Sequence, residues 1–175
     1  MQILVIMALK VESQGLFEAA GYSPFYCGVG SSKATHHLTK WIYEYKPQRV
    51  LNLGTAGSLR FNIGKLVECT SFVQRQTHDF LKMPLENLTS EPLTELPKVI
   101  CGSADFIETS APRTKCDIFD MEAYSLAYVC KKMNVKFNSI KYVTDSSNHK
   151  VVEDWQKNLL PSAEALLNQL NELNL

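Results

Sequence analysis

Apolar residues in this chain gather in short runs, and between the runs they recur at helical spacing. Residues 2–7 (QILVIM) are apolar almost throughout, which fits a strand covered on both faces of a parallel sheet. Over residues 12–20 the apolar positions Leu16, Phe17 and Ala20 share one face, predicting a helix that Gly21 stops. Residues 24–27 read as a short strand, and residues 33–45 as a helix ended by Pro47. Residues 49–53 (RVLNL) form a strand that runs into the glycine-rich turn Gly54-Thr55-Ala56-Gly57. A longer, more polar strand covers residues 66–75. Residues 76–97, with Pro84, Pro92 and Pro97 among polar positions, read as a long loop with room for one helical turn. Such a loop inside a compact domain is either functional or mobile. Short strands follow at 99–101 and 116–119, then an amphipathic helix at 124–133 and a strand at 137–143. Residues 151–173 close the chain as a helix that Pro161 should kink or split. Neither a repeat nor a linker interrupts this order. Strands alternating with helices predict one α/β domain over residues 1–175, a three-layer αβα sandwich around a central mixed β-sheet.

Composition narrows the class. A chain of 175 residues suits one domain with a sizeable core, and 45% hydrophobic with 21% charged residues is ordinary for a globular protein. The 18 basic residues balance the 18 acidic ones, so no basic face for nucleic acid is expected. Cys27, Cys69, Cys101, Cys116 and Cys130 are odd in number and contain no Cys-x-x-Cys pair. Buried, reduced thiols in a cytoplasmic protein are the simplest account. The first apolar run is too short for a signal peptide, and no run reaches membrane-spanning length. Neither a membrane nor a nucleic acid is therefore an expected partner.

The chemistry sits where strands give way to loops or helices, which is where open α/β sheets collect ligands. The stretch 119–123 (FDMEA) sets Glu122 at the start of a helix, where the dipole favours negative charge. Glu12 and Asp145 occupy similar strand ends. Each has an ordinary local explanation: Glu122 as a helix-start carboxylate, Asp145 as the cap of a turn, the glycines as tight turns. Burial of Asp145 beside Tyr142 and Val143 would raise its pKa and keep part of it protonated near neutral pH, as a general acid requires. Gly28 and Gly30 lack the third glycine of a dinucleotide fingerprint, and no phosphate-binding loop is present. A Gly-x-Ser-x-Gly elbow is missing, as is any His-x-x-x-His or Cys-x-x-Cys metal pair.

Taken in order, these junctions resemble a family. The segments ILVIMALKVES (3–13), YCGVGSSKA (26–34), VLNLGTAGSLRFNIGKLVE (50–68), CGSADFIET (101–109), FDMEAYSLAYVCKKMNVKF (119–137) and SIKYVTDSSN (139–148) are similar to the purine nucleoside phosphorylase and nucleosidase superfamily. Within it the likeness is nearest to the 5′-methylthioadenosine/S-adenosylhomocysteine nucleosidases. The Asp-Met-Glu-Ala segment and the strand ending in Thr-Asp, at this separation, carry most of the specificity. The resemblance implies an N-glycosidase that hydrolyses a 5′-substituted purine nucleoside to free base and sugar, without cofactor or metal. It also implies a homodimer in the cytoplasm that serves purine metabolism and methionine salvage. By the same resemblance Glu12 activates the attacking water and Asp145 protonates N7 of the leaving purine. Met121 and Glu122 bind the ribose, with Glu122 on its 2′- and 3′-hydroxyls. Phe106 stacks on the base, and the backbone of Ile107 reads its edge. Thr55, Ala56 and Gly57 line the base and ribose side, Val29 touches the sugar, and Trp155 lies over the 5′ substituent or the base. Ala8, Asp120 and Thr144 belong to the same substrate-binding set, and Thr55 and Lys141 are placed to position water.

The chain also departs from that pattern. It is shorter than the usual member: the hairpin region before Gly28 is nearly absent, and the 76–97 segment is cut down. Lys141 stands for the usual Arg, Thr55 for a Ser and Asp120 for a Glu. The phosphorylases' Gly-Asp-Pro loop is replaced by Ala8-Leu9-Lys10-Val11-Glu12, which favours water as nucleophile. Two alternatives stay open: a phosphorylase with a phosphate site built on Lys10, Lys33 or Arg60, and a nucleoside-binding module without turnover. The side chains of Trp41 and Tyr45 are candidate interface residues.

Overall fold

The computed structural model describes residues 2–75, 86, 88–110 and 114–173. Among these, strands β1 (Ile3–Met7), β2 (Phe25–Tyr26), β3 (Arg49–Gly57), β4 (Leu66–Gln74), β5 (Leu88–Thr89), β6 (Lys98–Ser103), β7 (Ile118–Asp120) and β8 (Lys136–Asp145) form one sheet. β1 pairs in parallel with β2 and β3, and β3 in parallel with β8. β8 and β4 run antiparallel, β4 and β6 parallel, and β6 and β7 parallel. The sheet is therefore mixed. The helices are α1 (Leu16–Ala19), α2 (Ser31–Tyr45), α3 (Ala123–Lys132), α4 (Val151–Lys157) and α5 (Leu159–Glu172). None is long and apolar enough to cross a membrane.

Side chains alternate across a strand, so a continuous apolar run feeds two cores at once. Leu4 and Ile6 of β1 and Val50 of β3 join a cluster closed by Leu38 and Ile42 of α2 and Leu126 and Val129 of α3. Met7 of β1 and Leu51 and Leu53 of β3 face the other way, onto Phe17 of α1 and Leu166 and Leu170 of α5. This produces the three layers.

Four local expectations change. The helix expected at 12–20 is a 3-10 turn (Lys10–Ser13) followed by the four-residue α1, because Gln14 and Gly15 between them adopt left-handed φ of 50° and 72°. The glycine-rich turn at 54–57 is the second half of β3. The closing helix divides at Asn158 rather than at Pro161, since a proline in a helix's first turn removes an N–H that has no partner there anyway. Trp41 is packed, not outward: its ring meets Phe25 edge-on at 5.0 Å and stacks on His37 at 5.5 Å. Tyr45 keeps part of its exposure.

The long loop expected at 76–97 lies partly outside the described residues, Pro84 included. Its later part is ordered by one buried charge. Leu88–Thr89 pairs with β4, and residues 93–98 fold back onto Glu68, which is fully buried on β4. The Glu68 carboxylate accepts hydrogen bonds from Leu93 N (2.6 Å), Thr94 N (3.0 Å), Thr94 Oγ1 (2.7 Å) and Lys98 Nζ (2.9 Å). Four donors arranged around one site offset its desolvation. Removing the acceptor would strand them, so Glu68→Ala should lose roughly 3 kcal/mol of stability, read as a fall in Tm of roughly 6–12 °C by calorimetry. A Tm within about 2 °C of the native protein would show that this site does not hold the segment.

Candidate active site

A cavity of about 300 Å³ opens at the C-terminal ends of β1, β3, β4, β6, β7 and β8, within the size range of small-molecule sites. Every catalytic and substrate-binding candidate that the resemblance implies lines it: Ala8, Glu12, Val29, Thr55, Ala56, Gly57, Phe106, Ile107, Asp120, Met121, Glu122, Lys141, Thr144, Asp145 and Trp155. Phe106, Ile107 and Val29 stand at its exposed rim, whereas Glu12, Asp120, Glu122, Lys141 and Asp145 are all buried.

Glu12 is oriented by its own turn. Leu9 N donates to Oε2 (2.9 Å), while Thr55 N and Oγ1 donate to Oε1 (3.2 and 2.9 Å). The Thr55 hydroxyl in turn accepts from the Trp155 indole N–H (3.0 Å), so α4 is tied to the same carboxylate. A Cβ on Gly54 would lie 3.3 Å from Lys141 Nζ and 3.4 Å from Glu12 Oε1. The glycine thus lets these two groups approach the strand closely.

Glu122 precedes α3 but does not cap it. Its Oε1 accepts instead from Gly30 N (2.8 Å), 92 residues away in sequence, which ties the Gly28-Val29-Gly30 turn to the pocket. The capping is done by Asp120, whose Oδ2 accepts from Ala123 N (2.9 Å) and pairs with Lys141 Nζ at 3.0 Å, while Oδ1 accepts from Ser103 Oγ. Both oxygens of Asp120 are therefore engaged within the protein. Burial opposes all these charges. For Asp120 the neighbouring Lys141 ammonium outweighs it and holds the carboxyl below its usual range. For Lys141, Asp120 likewise overcomes burial and raises the ammonium pKa. Glu122 has no such partner: burial first, then the Asp120 and Glu12 charges, push it up to about 8.

Asp145 ends β8 at a bulge. The register runs Ala56 with Val143 and then Gly57 with Asp145, so Thr144 is the extra residue. Bulges of this kind re-aim a side chain. The Asp145 carboxyl accepts from Ser147 N (3.0 Å) and Thr144 Oγ1 (3.1 Å). Burial nonetheless raises its pKa against those two donors. The turn cap and the pocket position thus coexist.

Sequence reasoning missed Arg75, Glu108 and Ser147, which also line the cavity. Arg75 pairs with Glu108 (2.7 Å) and lies over the rings of Phe106 (5.0 Å) and Phe119 (5.4 Å). Its signal was a lone Arg at the end of the more polar strand at 66–75. Ser147 was legible only as part of a turn. By contrast Lys10, Lys33 and Arg60 stay off the cavity wall: Lys33 packs along Gly28, and Arg60 pairs with Asp117.

The high Glu122 pKa has a stability consequence. A carboxyl raised above its unfolded value binds its proton more tightly in the native state, so its contribution is complete below about pH 4.5 and is lost as pH rises toward 8. Glu122→Gln removes that loss. Its Tm relative to the native protein should climb by roughly 10 °C between pH 4.5 and 8; a pH-independent difference would refute the shifted ionisation.

No protein-family model and no curated protein matches the chain. Solved structures do. The 5′-methylthioadenosine/S-adenosylhomocysteine nucleosidase of Helicobacter pylori aligns over 98% of this chain and 97% of its own, with a TM-score of 0.88 at 20% identity. A futalosine hydrolase mutant from Helicobacter pylori gives the same TM-score of 0.88 at 20% identity, over 98% of this chain and 97% of that one. The Neisseria meningitidis 5′-methylthioadenosine/S-adenosylhomocysteine nucleosidase, solved with methylthio-immucillin-A, gives 0.85 at 19% identity over 98% and 97%. Such likeness at low identity is a statement about architecture: the chain has the αβα fold of the nucleoside phosphorylases and nucleosidases, and its buried acids lie at the strand ends of that fold.

Proposed function

We propose that this protein is a purine nucleoside N-glycosidase of the nucleoside phosphorylase and nucleosidase superfamily, acting on a 5′-substituted purine nucleoside of the 5′-methylthioadenosine/S-adenosylhomocysteine type. The observation that carries the reading is the gathering of Glu12, Glu122 and Asp145 around one cavity, buried yet in three different hydrogen-bonding environments. In this reading Glu12 takes a proton from water, and the oxygen attacks C1′. The C1′–N9 bond breaks, its electron pair passes to the purine, and Asp145 delivers a proton to N7. The hydroxyls of the sugar are met by Glu122, which has only one oxygen engaged among the described residues. Phe106, held beneath the Arg75 guanidinium, supplies the stacking face for the base. Lys141, pinned by Asp120 near Glu12, is placed to orient the water. Lys10, Lys33 and Arg60, the candidate cations for a phosphate site, are absent from the cavity wall, and the two cations that do line it, Arg75 and Lys141, are paired with Glu108 and Asp120, which supports water over phosphate as the nucleophile.

The test is release of free base from a panel of purine nucleosides. Release should be independent of added phosphate, and 5′-thioether nucleosides should be the best substrates. Asp145→Asn keeps an acceptor for Ser147 N but carries no acidic proton, so kcat should drop by roughly 10² or more with little change in binding. Glu12→Gln should bind substrate without turning it over. An Asn variant with native kcat would remove Asp145 from the acid role, and tight binding without release by the native protein would leave a nucleoside-binding module.

We further infer a homodimer. Val29, Phe106, Ile107 and Val152 leave apolar surface exposed at the cavity rim, which a second copy would cover. Light scattering at micromolar concentration should give twice the chain mass; a monomer there would overturn the inference.

A further inference from the structure

The hydrogen bonds that run from α4 to Glu12 have only one possible direction. An indole N–H donates and cannot accept, so Trp155 Nε1 gives its proton to Thr55 Oγ1, 3.0 Å away. The Thr55 hydroxyl has one proton of its own, and the acceptor it faces is Glu12 Oε1 at 2.9 Å. Trp155 therefore fixes a rotor: with the indole N–H seated on the oxygen, the hydroxyl proton points at the carboxylate. Glu12 Oε1 also accepts from Thr55 N, and Oε2 accepts from Leu9 N. A carboxylate offers about four acceptor positions. Thr55 fills both on Oε1 and Leu9 fills one on Oε2, so among the described residues the position left open is on Oε2. The helix that supplies Trp155 buries no residue, yet its Val151, Val152 and Trp155 form part of the cavity wall. The indole hydrogen bond joins that wall to β3 and, through it, to Glu12.

We propose that Trp155 is a positioning residue for water activation: through the Thr55 hydroxyl it holds Glu12 turned so that the open acceptor position on Oε2 meets the water. The inference rests on the reading of Glu12 as the group that takes the water's proton. In that step the proton passes to Oε2 while the water oxygen bonds to C1′, and the carboxylate has to keep its orientation throughout. The last torsion of a Glu side chain is broad, so its orientation is set by the donors around it. Without the indole N–H the Thr55 proton is free to turn away, Oε1 loses a donor, and Oε2 is no longer fixed toward the water. The loss falls on the chemical step. The apolar body of the indole covers a ligand, whereas its N–H serves Glu12. Small misplacements of a reacting group are expensive in rate, and the same chain of bonds makes the setting of Glu12 depend on the seating of α4.

Trp155→Phe keeps a ring on the cavity wall and removes the N–H, Thr55→Val keeps the shape and removes the hydroxyl, and Thr55→Ser keeps the hydroxyl. Release of base from a 5′-thioether purine nucleoside is followed for each, and for Trp155→Phe combined with Thr55→Val. In Trp155→Phe kcat should fall roughly fivefold to tenfold with KM within about twofold. Thr55→Ser should stay near native. The double variant should be no slower than Thr55→Val alone, because without the hydroxyl the indole has nothing to act through. A native kcat in Trp155→Phe, or losses that multiply in the double variant, overturns the proposal. A second readout does not need turnover. The chain has two tryptophans, Trp41 and Trp155, and Trp155→Phe identifies the Trp155 indole N–H signal in a proton–nitrogen NMR spectrum. Glu12→Gln should move that signal in the native background and leave it in place in Thr55→Val. This pattern without base release leaves Trp155 positioning Glu12 and removes the glycosidase reading. Release with a signal indifferent to Glu12→Gln does the reverse, and the absence of both overturns both.

Discussion

The interior of this site depends on one buried ion pair. Four buried carboxyls, from Glu12, Asp120, Glu122 and Asp145, converge on a cavity whose walls also hold the Lys141 ammonium. Like charges at such density in a low dielectric cannot all persist. Lys141 commits to Asp120 at 3.0 Å, and that choice sorts the others. Asp120 stays ionised, Glu122 is driven toward its neutral form by burial and by that neighbouring charge, and Asp145, at the far side of the bulge, is raised by burial. Separated protonation states are what let neighbouring acids take different chemical roles. Breaking the pair from either side would leave an uncompensated charge, typically at a cost of about 3–5 kcal/mol.

The backbone is shaped to permit that crowding. β3 carries Gly54 and Gly57 at the two places where carboxyl and ammonium groups come closest to it. Added side chains there would strike Glu12 and Lys141 in one case and Asp145 and Ser147 in the other. The bulge at Thr144 turns Asp145 into the same space. Distant segments are then tied to the acids rather than to one another: the Gly30 turn by Glu122, α4 by way of Trp155 and Thr55 to Glu12, and the start of α2 by Asp105, which accepts from Ser31 N at 2.6 Å. The polar centre thereby does structural work that in most domains falls to the apolar core alone.

The sequence by itself determined the layers and the ends. Two-sided apolar runs such as residues 2–7 require cover on both faces, so strands alternating with amphipathic helices left little choice but a three-layer sandwich. Its acids at strand ends were legible because strand periodicity breaks there, and the positions of Glu12, Glu122 and Asp145 could be read without coordinates. What the tertiary structure decided was every relation between residues far apart in the chain. That Glu122 reaches Gly30 instead of capping its own helix, that Asp120 takes that cap and Lys141 together, and that Glu68 orders residues 93–98 all depend on which strands are neighbours. Local rules misjudged residues 54–57, because glycine is ordinarily a turn signal and only the packed site shows the missing Cβ to be needed within a strand. Ser147 was unreadable for the same reason: its place beside the Asp145 carboxyl belongs to a cavity built by residues contributed from the whole length of the chain.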